Sequence, residues 1–120
     1  KDTVSLKNGL PCFDLVMLGL GEDGHTASIF PNQSNLLSSE KICEVAIHPS
    51  SGQKRITITV KVINNSKRII FLVAGKTKAE IFGKIIDEKK KIYPAEFIES
   101  SDGSLEYFID SEAAQFLDKK

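Results

Sequence analysis

The sequence predicts an α/β fold with a mainly parallel sheet, because strand patterns alternate with helical patterns along the chain. The apolar strand "RIIFLVA" (68–74) runs directly into "GKTKAEIFGKIID" (75–87), where apolar residues recur at helical spacing. The strand "SLEYFID" (104–110) runs in the same way into "SEAAQFLDKK" (111–120), which predicts a final helix. With 120 residues and 41% hydrophobic content, the chain corresponds to one domain or a part of one.

The remaining strands are predicted from short local patterns. "FDLVML" (13–18) is a nearly continuous apolar run ended by glycines, which is typical of a strand buried on both faces. "CEVAIH" (43–48) predicts a further strand, and the alternation of "RITITV" (55–60) predicts another with one buried face. Asp110 or Ser111 is expected to cap the final helix.

Charge and cysteine content argue against several functional classes. Sixteen basic residues balance sixteen acidic ones, a composition that favours neither nucleic-acid binding nor a polybasic membrane patch. Cys12 and Cys43 fit no metal-ligand spacing, so reduced thiols are expected rather than a disulfide framework. No segment approaches the roughly 18 apolar residues of a membrane span. We therefore expect a cytoplasmic protein without nucleic-acid or membrane partners.

The stretch "GLGEDGHTASIFP" (19–31) follows the first predicted strand, at the end where open α/β sheets bind ligands. Gly21 and Gly24 allow positive φ angles, and successive amides in such a turn favour negative charge. Histidine is the side chain suited to proton transfer near neutral pH, so His25 is a candidate to accept a proton from water, while Asp23 can orient the imidazole. From these local features alone an ordinary glycine-rich turn is the commoner interpretation, and a catalytic turn is the alternative.

The same glycines also fit the G-x-G-x-x-G spacing of dinucleotide-binding folds. That interpretation requires an uninterrupted helix after the turn, with an acidic residue about 20 positions on. Two glutamates lie near that distance, but Pro31 and the polar "NQSNLLSSEK" (32–41) interrupt the helix. The dinucleotide interpretation is therefore the weaker one.

Three ordered blocks of the sequence resemble the 6-phosphogluconolactonases. "FDLVMLGLGEDGHTASIFP" (13–31) resembles the signature in which a strand runs into G-x-G-x-D-G-H-T-A-S-x-F-P. "KRITITVKVINNSKRIIFLVAGKTKAEIF" (54–82) resembles the family's R-I-T and F-L-V-x-G-x-x-K-A blocks, and "LEYFIDSEAA" (105–114) resembles its last strand and helix. The resemblance implies a Rossmann-like fold of the glucosamine-6-phosphate deaminase/ribose-5-phosphate isomerase type. It also implies that residues 1–120 are the C-terminal half of that domain, with the N-terminal half of the same protein as partner.

The resemblance further implies a hydrolase of the pentose phosphate pathway that needs neither metal nor cofactor. Its expected reaction converts 6-phospho-D-glucono-1,5-lactone to 6-phosphogluconate. His25 is then expected to be the general base that activates water, and Asp23 to orient it. Amides from Gly21 through Gly24 to Thr26 are expected to meet the oxyanion.

The substrate's phosphate requires cationic partners. Lys78, in the family's G-x-x-K-A pattern, is expected to bind it from the first turn of the helix after "FLVAG". Arg55, which opens the R-I-T strand, is expected to bind either the phosphate or the carboxyl end. His48 is expected to be a surface or strand-end histidine, and Ser28 a turn or capping residue, because it lacks a nucleophile elbow.

Two alternatives remain open at this stage. The related deaminase/isomerases have a turn similar to D-G-H-I-A-F-N-E-P, in which a glutamate precedes the proline and assists ring opening. Phe30 holds that place here, and an apolar ring cannot transfer protons, which favours the lactonase. The other alternative is a non-catalytic sugar-phosphate-binding module on the same fold.

Overall fold

The described part of the chain, residues 4–101 and 103–117 of a computed structural model, consists of short strands and helices. The strands are β1 (Leu6–Lys7), β2 (Leu10–Pro11), β3 (Val16–Leu18), β4 (Cys43–Ile47), β5 (Lys54–Ile58), β6 (Arg68–Val73) and β7 (Ser104–Ile109). The α-helices are α1 (Ser34–Leu37), α2 (Val60–Asn64) and α3 (Ala79–Gly83). Short 3-10 helices at Lys76–Lys78 and Pro94–Phe97 and a π-helical turn at Lys84–Glu88 complete the helical elements.

The centre of the fold is a three-stranded parallel sheet in the order β3-β6-β7. The long apolar strand β6 lies in the middle and pairs along its whole length with β7. β1 pairs with β2, and β4 with β5, as antiparallel hairpins beside this sheet. The predicted α/β class with a mainly parallel sheet is therefore confirmed.

The two faces of the parallel sheet differ in burial. On one face Phe71 stacks on Tyr107 with ring centroids 5.2 Å apart, and Phe82 meets the same tyrosine edge-on at 5.4 Å. The other face exposes three large apolar side chains: Met17 (59%), Leu72 (47%) and Phe108 (50%). The prediction that "FDLVML" is buried on both faces is therefore wrong for the described structure, because the face of β3 that carries Met17 is not covered by any described element.

The β4–β5 hairpin confirms the two strands predicted at 43–48 and 55–60, with one difference in length. β5 ends at Ile58, and Thr59 becomes the N-cap of α2, where its hydroxyl accepts a hydrogen bond from the Val62 amide (3.4 Å). The predicted strand is shorter at this end because Val60 belongs to the helix.

The helix predicted at 75–87 is present, but it changes type along its length. A 3-10 turn precedes α3, and a π-helical turn follows it. The Asp110 carboxylate accepts hydrogen bonds from the Ala113 amide (2.8 Å) and from the Gly75 amide, and these bonds lower the pKa of Asp110. Asp110 thereby joins the start of the helix to the end of β7.

The final helix predicted at 111–120 is wrong over the described residues. Residues 111–116 form turns, and residues 118–120 lie outside the described structure. The capping interaction predicted for this segment is nevertheless made, by Asp110 rather than Ser111. Cys12 is buried, Cys43 is exposed and both are free thiols. Among the described helices, none is long and apolar enough to cross a membrane.

Candidate active site

The stretch 19–31 leaves β3 and forms a tight turn closed by its own hydrogen bonds. The Gly21 amide donates to the carbonyl of His25 (2.9 Å), and the Gly24 amide donates to the carbonyl of Gly21 (3.0 Å). The buried hydroxyl of Thr26 donates to the carbonyl of Gly19 (2.7 Å), which ties the turn to the end of the strand. The amides of Gly21 and Gly24 are therefore engaged within the turn.

Asp23 and His25 form a hydrogen-bonded pair in this turn. Oδ1 of Asp23 lies 2.6 Å from Nδ1 of His25 and also accepts the His25 amide at 3.0 Å. Partial burial acts to raise the pKa of Asp23, but the hydrogen bonds from His25 outweigh it, and the pKa lies below its usual value. A carboxylate only accepts hydrogen bonds, so Nδ1 of His25 is the donor in this contact and Nε2 is the ring nitrogen that is left to act as a base.

Gly21 is required by the position of the imidazole. A Cβ atom built on Gly21 would overlap Cε1 and Nδ1 of His25. The ring therefore lies directly against the Gly21 backbone. A glycine at this position allows the Asp23–His25 pair to form.

A second glycine of the turn is held by a segment that sequence analysis did not identify. Gly24 has φ +87°, and a Cβ built on it would lie 2.5 Å from Cβ of Tyr93. The Ala95 amide donates to the Gly24 carbonyl (3.0 Å), and the Glu96 carboxylate accepts the Tyr93 amide (3.1 Å). Only the Glu96 half of a capping box is made here, and the sequence "YPAE" does not indicate the contact of Tyr93 with the turn.

The structure brings Lys78 and His25 into one pocket of about 350 Å³. Lys78 is the last residue of the 3-10 turn before α3, close to the predicted position in the first helical turn. The other lining residues come from the stretch 19–31: Gly19, Leu20, Gly21, Thr26 and Ala27. A cationic side chain and the candidate general base therefore line the same pocket.

Arg55 does not line this pocket. Its guanidinium group lies near the Phe30 ring, and this ring is its contact with the site. Phe30 is 2% exposed, and its ring centroid lies 4.9 Å from that of His25. The ring of His48 meets Phe30 edge-on at 5.2 Å, and the Arg55 guanidinium carbon lies 6.0 Å from its centre. His48 follows the end of β4, in agreement with the expected surface or strand-end position, but no sequence pattern indicates its contact with Phe30.

The β4–β5 hairpin is joined to the turn by a hydrogen bond. The Ser28 amide donates to the hydroxyl of Thr57, which is nearly fully buried (3.2 Å). Ser28 is thus a turn residue, as expected. Among residues 4–101 and 103–117, no group of three or more His, Cys, Asp or Glu side chains is arranged to hold a metal ion.

Comparison with known sequences identifies a family and several similar curated proteins. A model of the family described as glucosamine-6-phosphate isomerases/6-phosphogluconolactonase matches residues 2–107. A 6-phosphogluconolactonase of Aggregatibacter actinomycetemcomitans is 44% identical over 107 residues, which are 88% of this chain and 46% of the relative. That of Haemophilus influenzae is 42% identical over 114 residues, 93% of this chain and 48% of the relative. The chain spans less than half the length of these curated relatives.

The similar solved structures include a 6-phosphogluconolactonase and a deaminase. The crystal structure of a protein called devB superposes with a TM-score of 0.89 at 43% identity, over 95% of this chain and 48% of that one. The 6-phosphogluconolactonase of Trypanosoma brucei superposes with a TM-score of 0.78 at 30% identity, over 90% and 43%. A monomeric glucosamine-6-phosphate deaminase superposes with a TM-score of 0.68 at 28% identity, over 86% and 47%.

Proposed function

The chain belongs to the glucosamine-6-phosphate isomerase/6-phosphogluconolactonase family, and from that membership we propose that it hydrolyses 6-phospho-D-glucono-1,5-lactone to 6-phosphogluconate. The observation that carries this proposal is the Asp23–His25 pair, in which Asp23 binds Nδ1 and leaves Nε2 as the candidate base in a pocket that Lys78 also lines. In this proposal residues 1–120 form the C-terminal half of a cytoplasmic enzyme of the pentose phosphate pathway. The other half of the domain is their partner.

The reaction requires a base, a site for an oxyanion and a proton donor. Nε2 of His25 takes a proton from water, and the resulting hydroxide attacks C1 of the lactone. The Asp23 carboxylate stabilises the imidazolium that forms. When the bond between C1 and the ring oxygen breaks, Nε2 returns its proton to that oxygen. The carboxylic acid product then loses a proton to solvent, so the net products are a carboxylate and a proton.

The oxyanion and the phosphate require separate partners. Because the amides of Gly21 and Gly24 are used inside the turn and Thr26 pairs with Ile29 in a β-bridge, we assign the oxyanion to the amide of Ala27, a residue that lines the pocket. Lys78 lines the same pocket and supplies the positive charge for the phosphate.

The deaminase alternative is weakened by Phe30. Its ring is buried and packs on His25, in the place where the deaminase pattern has a glutamate. A hydrocarbon ring cannot assist the ring opening of an amino sugar. The lactone, in contrast, is an activated ester and needs no second acid at this position.

The proposal is tested in a chimera in which this chain replaces the matching segment of the Haemophilus influenzae relative. We expect the chimera to hydrolyse 6-phosphogluconolactone and to leave glucosamine 6-phosphate unchanged. His25→Asn should lower kcat by about 10²–10⁴-fold, because an amide cannot accept a proton from water. Rates are corrected for spontaneous hydrolysis, and circular dichroism verifies the fold.

Two results would contradict the proposed function. One is a folded chimera that hydrolyses the lactone no faster than buffer. The other is a His25→Asn chimera with nearly unchanged kcat, which would remove His25 as the base.

A further inference from the structure

The catalytic turn, the helix that carries Lys78 and the residue Asp110 all follow the carboxyl ends of parallel strands. β3 runs into the turn that holds His25, and β6 runs through Gly75 into the 3-10 helix that ends at Lys78. β7 pairs with β6 in register to its last residue and ends directly before Asp110. Because the carboxyl ends of parallel strands meet at one edge of a sheet, Asp110 lies beside the start of that helix.

Asp110 holds the amide of Gly75 with both oxygens of its carboxylate. Oδ2 accepts this N–H at 3.0 Å and Oδ1 accepts it at 3.1 Å. Oδ1 also accepts the amide of Ala113 at 2.8 Å, which ties the carboxylate to its own segment. A charged acceptor makes stronger hydrogen bonds than a neutral one, so this carboxylate fixes the Gly75 amide firmly.

Gly75 has a backbone conformation that other residue types rarely adopt. Its φ is +98° and its ψ is 156°, a region that is essentially restricted to glycine. In this conformation its N–H donates to Asp110, while its carbonyl accepts the amide of Lys78 (3.2 Å). Asp110 and Lys78 are therefore joined through the two backbone groups of a single residue.

Lys78 is held from its other side by the core. The next residue, Ala79, is fully buried and begins α3, and Lys78 itself lines the pocket that contains His25. The Lys78 backbone therefore has two anchors, the buried start of α3 and the Gly75 carbonyl. Asp110 is not among the residues that line the pocket, so it acts on a bound ligand through Gly75.

We propose that Asp110 is a positioning residue for phosphate binding, which fixes Gly75 and thereby sets where Lys78 presents its ammonium group in the pocket. This inference rests on the proposed function, in which Lys78 binds the phosphate of the lactone. The phosphate is present in the substrate and in the transition state alike, so a displaced lysine weakens the binding of both. Loss of Asp110 therefore raises KM and leaves kcat nearly unchanged, whereas a loss at His25 lowers kcat.

Two lactones separate the phosphate from the reacting group in the chimera described above. 6-Phosphogluconolactone carries a phosphate, and glucono-1,5-lactone does not. Asp110→Ala should lower kcat/KM for the phosphorylated lactone about 5–30-fold, through KM, and should change kcat/KM for the other by less than about twofold, because only the contact to phosphate is displaced. Lys78→Ala should show the same selectivity with a larger effect. Dissociation constants for glucose 6-phosphate, measured by calorimetry, report the phosphate contact without turnover.

Further variants of the chimera separate positioning from charge and from stability. Glu112→Ala is the matched control, because it removes an equal charge from an exposed position of the same segment, and it should change neither lactone. Asp110→Asn keeps an oxygen at the place of Oδ1, which bonds to both amides, so it should lie close to the unsubstituted chimera. Gly75→Ala cannot adopt the native φ without strain and should cause the same selective loss as Asp110→Ala. Because both changes break one contact, the double variant should lose less than about twofold more.

The inference is overturned if Asp110→Ala affects the two lactones alike, if it affects neither, or if Glu112→Ala has the same effect. Circular dichroism verifies the fold, and Gly75→Ala decides the question if Asp110→Ala is unfolded. Weaker binding of glucose 6-phosphate in Asp110→Ala, in a chimera without any turnover, would refute the hydrolase and retain the positioning role. Turnover without a selective loss for the phosphorylated lactone would retain the hydrolase and refute the positioning role.

Discussion

The imidazole of His25 lies so close to the Gly21 backbone that any side chain at position 21 would overlap the ring in its present position. The restriction comes from the imidazole itself, which would overlap any Cβ at position 21. Gly19, at the other end of the same turn, has no described atom within 4 Å of a built Cβ. Two glycines of one motif therefore have different physical roles.

This difference gives a prediction with a matched control. Gly21→Ala should displace the imidazole and break the Nδ1–Asp23 hydrogen bond, with a loss of about 10²-fold or more in kcat of the chimera. The side-chain ¹⁵N spectrum of His25 reports the hydrogen bond directly. Gly19→Ala should leave that spectrum unchanged. An unchanged His25 signal in Gly21→Ala would show that the turn can relax around the added methyl group.

At the scale of elements, the 3-10 helix at Pro94–Phe97 and the residues before it support the catalytic turn. Tyr93 covers Gly24, and the Ala95 amide binds the Gly24 carbonyl. Glu96 holds the approach to this helix by accepting the amides of residues 91, 92 and 93. The position of Gly24, which lies between Asp23 and His25, is thus held by a segment about 70 residues later in the chain.

We predict that Tyr93→Ala lowers both stability and turnover. Loss of the half-buried ring should reduce the free energy of unfolding by about 1–3 kcal/mol, measured in urea, and should lower kcat more than it changes KM. Tyr93→Phe should restore both, because the ring rather than the hydroxyl covers Gly24. Ile92→Ala serves as the control, since the neighbouring Ile92 side chain is 61% exposed. A Tyr93→Ala variant with normal kcat would limit Tyr93 to a role in stability.

At the scale of the whole molecule, the parallel sheet is packed on one face and exposed on the other. Met17, Leu72 and Phe108 form an apolar outer face beside the Arg68–Glu106 ion pair. Exposed apolar area of this kind marks an interaction surface. We propose that this face and the free edge of β3 pack against the part of the relatives' domain that lies outside the match.

The chain by itself should therefore bind a hydrophobic dye or aggregate, and should hydrolyse the lactone poorly. Addition of the unmatched part of the Haemophilus influenzae relative should restore order and turnover. Met17→Gln/Leu72→Gln should reduce dye binding by the chain alone and also impair this restoration. Val45→Gln/Ile56→Gln, on the exposed face of the hairpin, is the control and should leave restoration intact. A monomeric chain that melts cooperatively and has full activity would contradict the proposal.

The sequence alone determined the features that depend on neighbours in the chain. Period-two alternation and apolar runs located five strands, because burial repeats every second residue in a strand. The order of motifs identified the family, and the spacing of Asp23 and His25 placed a carboxylate within reach of an imidazole. These features are local, since their physical causes act within a few residues.

Only the tertiary structure decided which distant groups meet at the site. Tyr93 covers Gly24, and Phe30 lies between His25 and the hairpin that carries His48 and Arg55. The same packing left the outer face of β3 exposed, against the prediction from its apolar run. No local pattern encodes such contacts, because chain folding brings together side chains whose separation in sequence carries no periodicity.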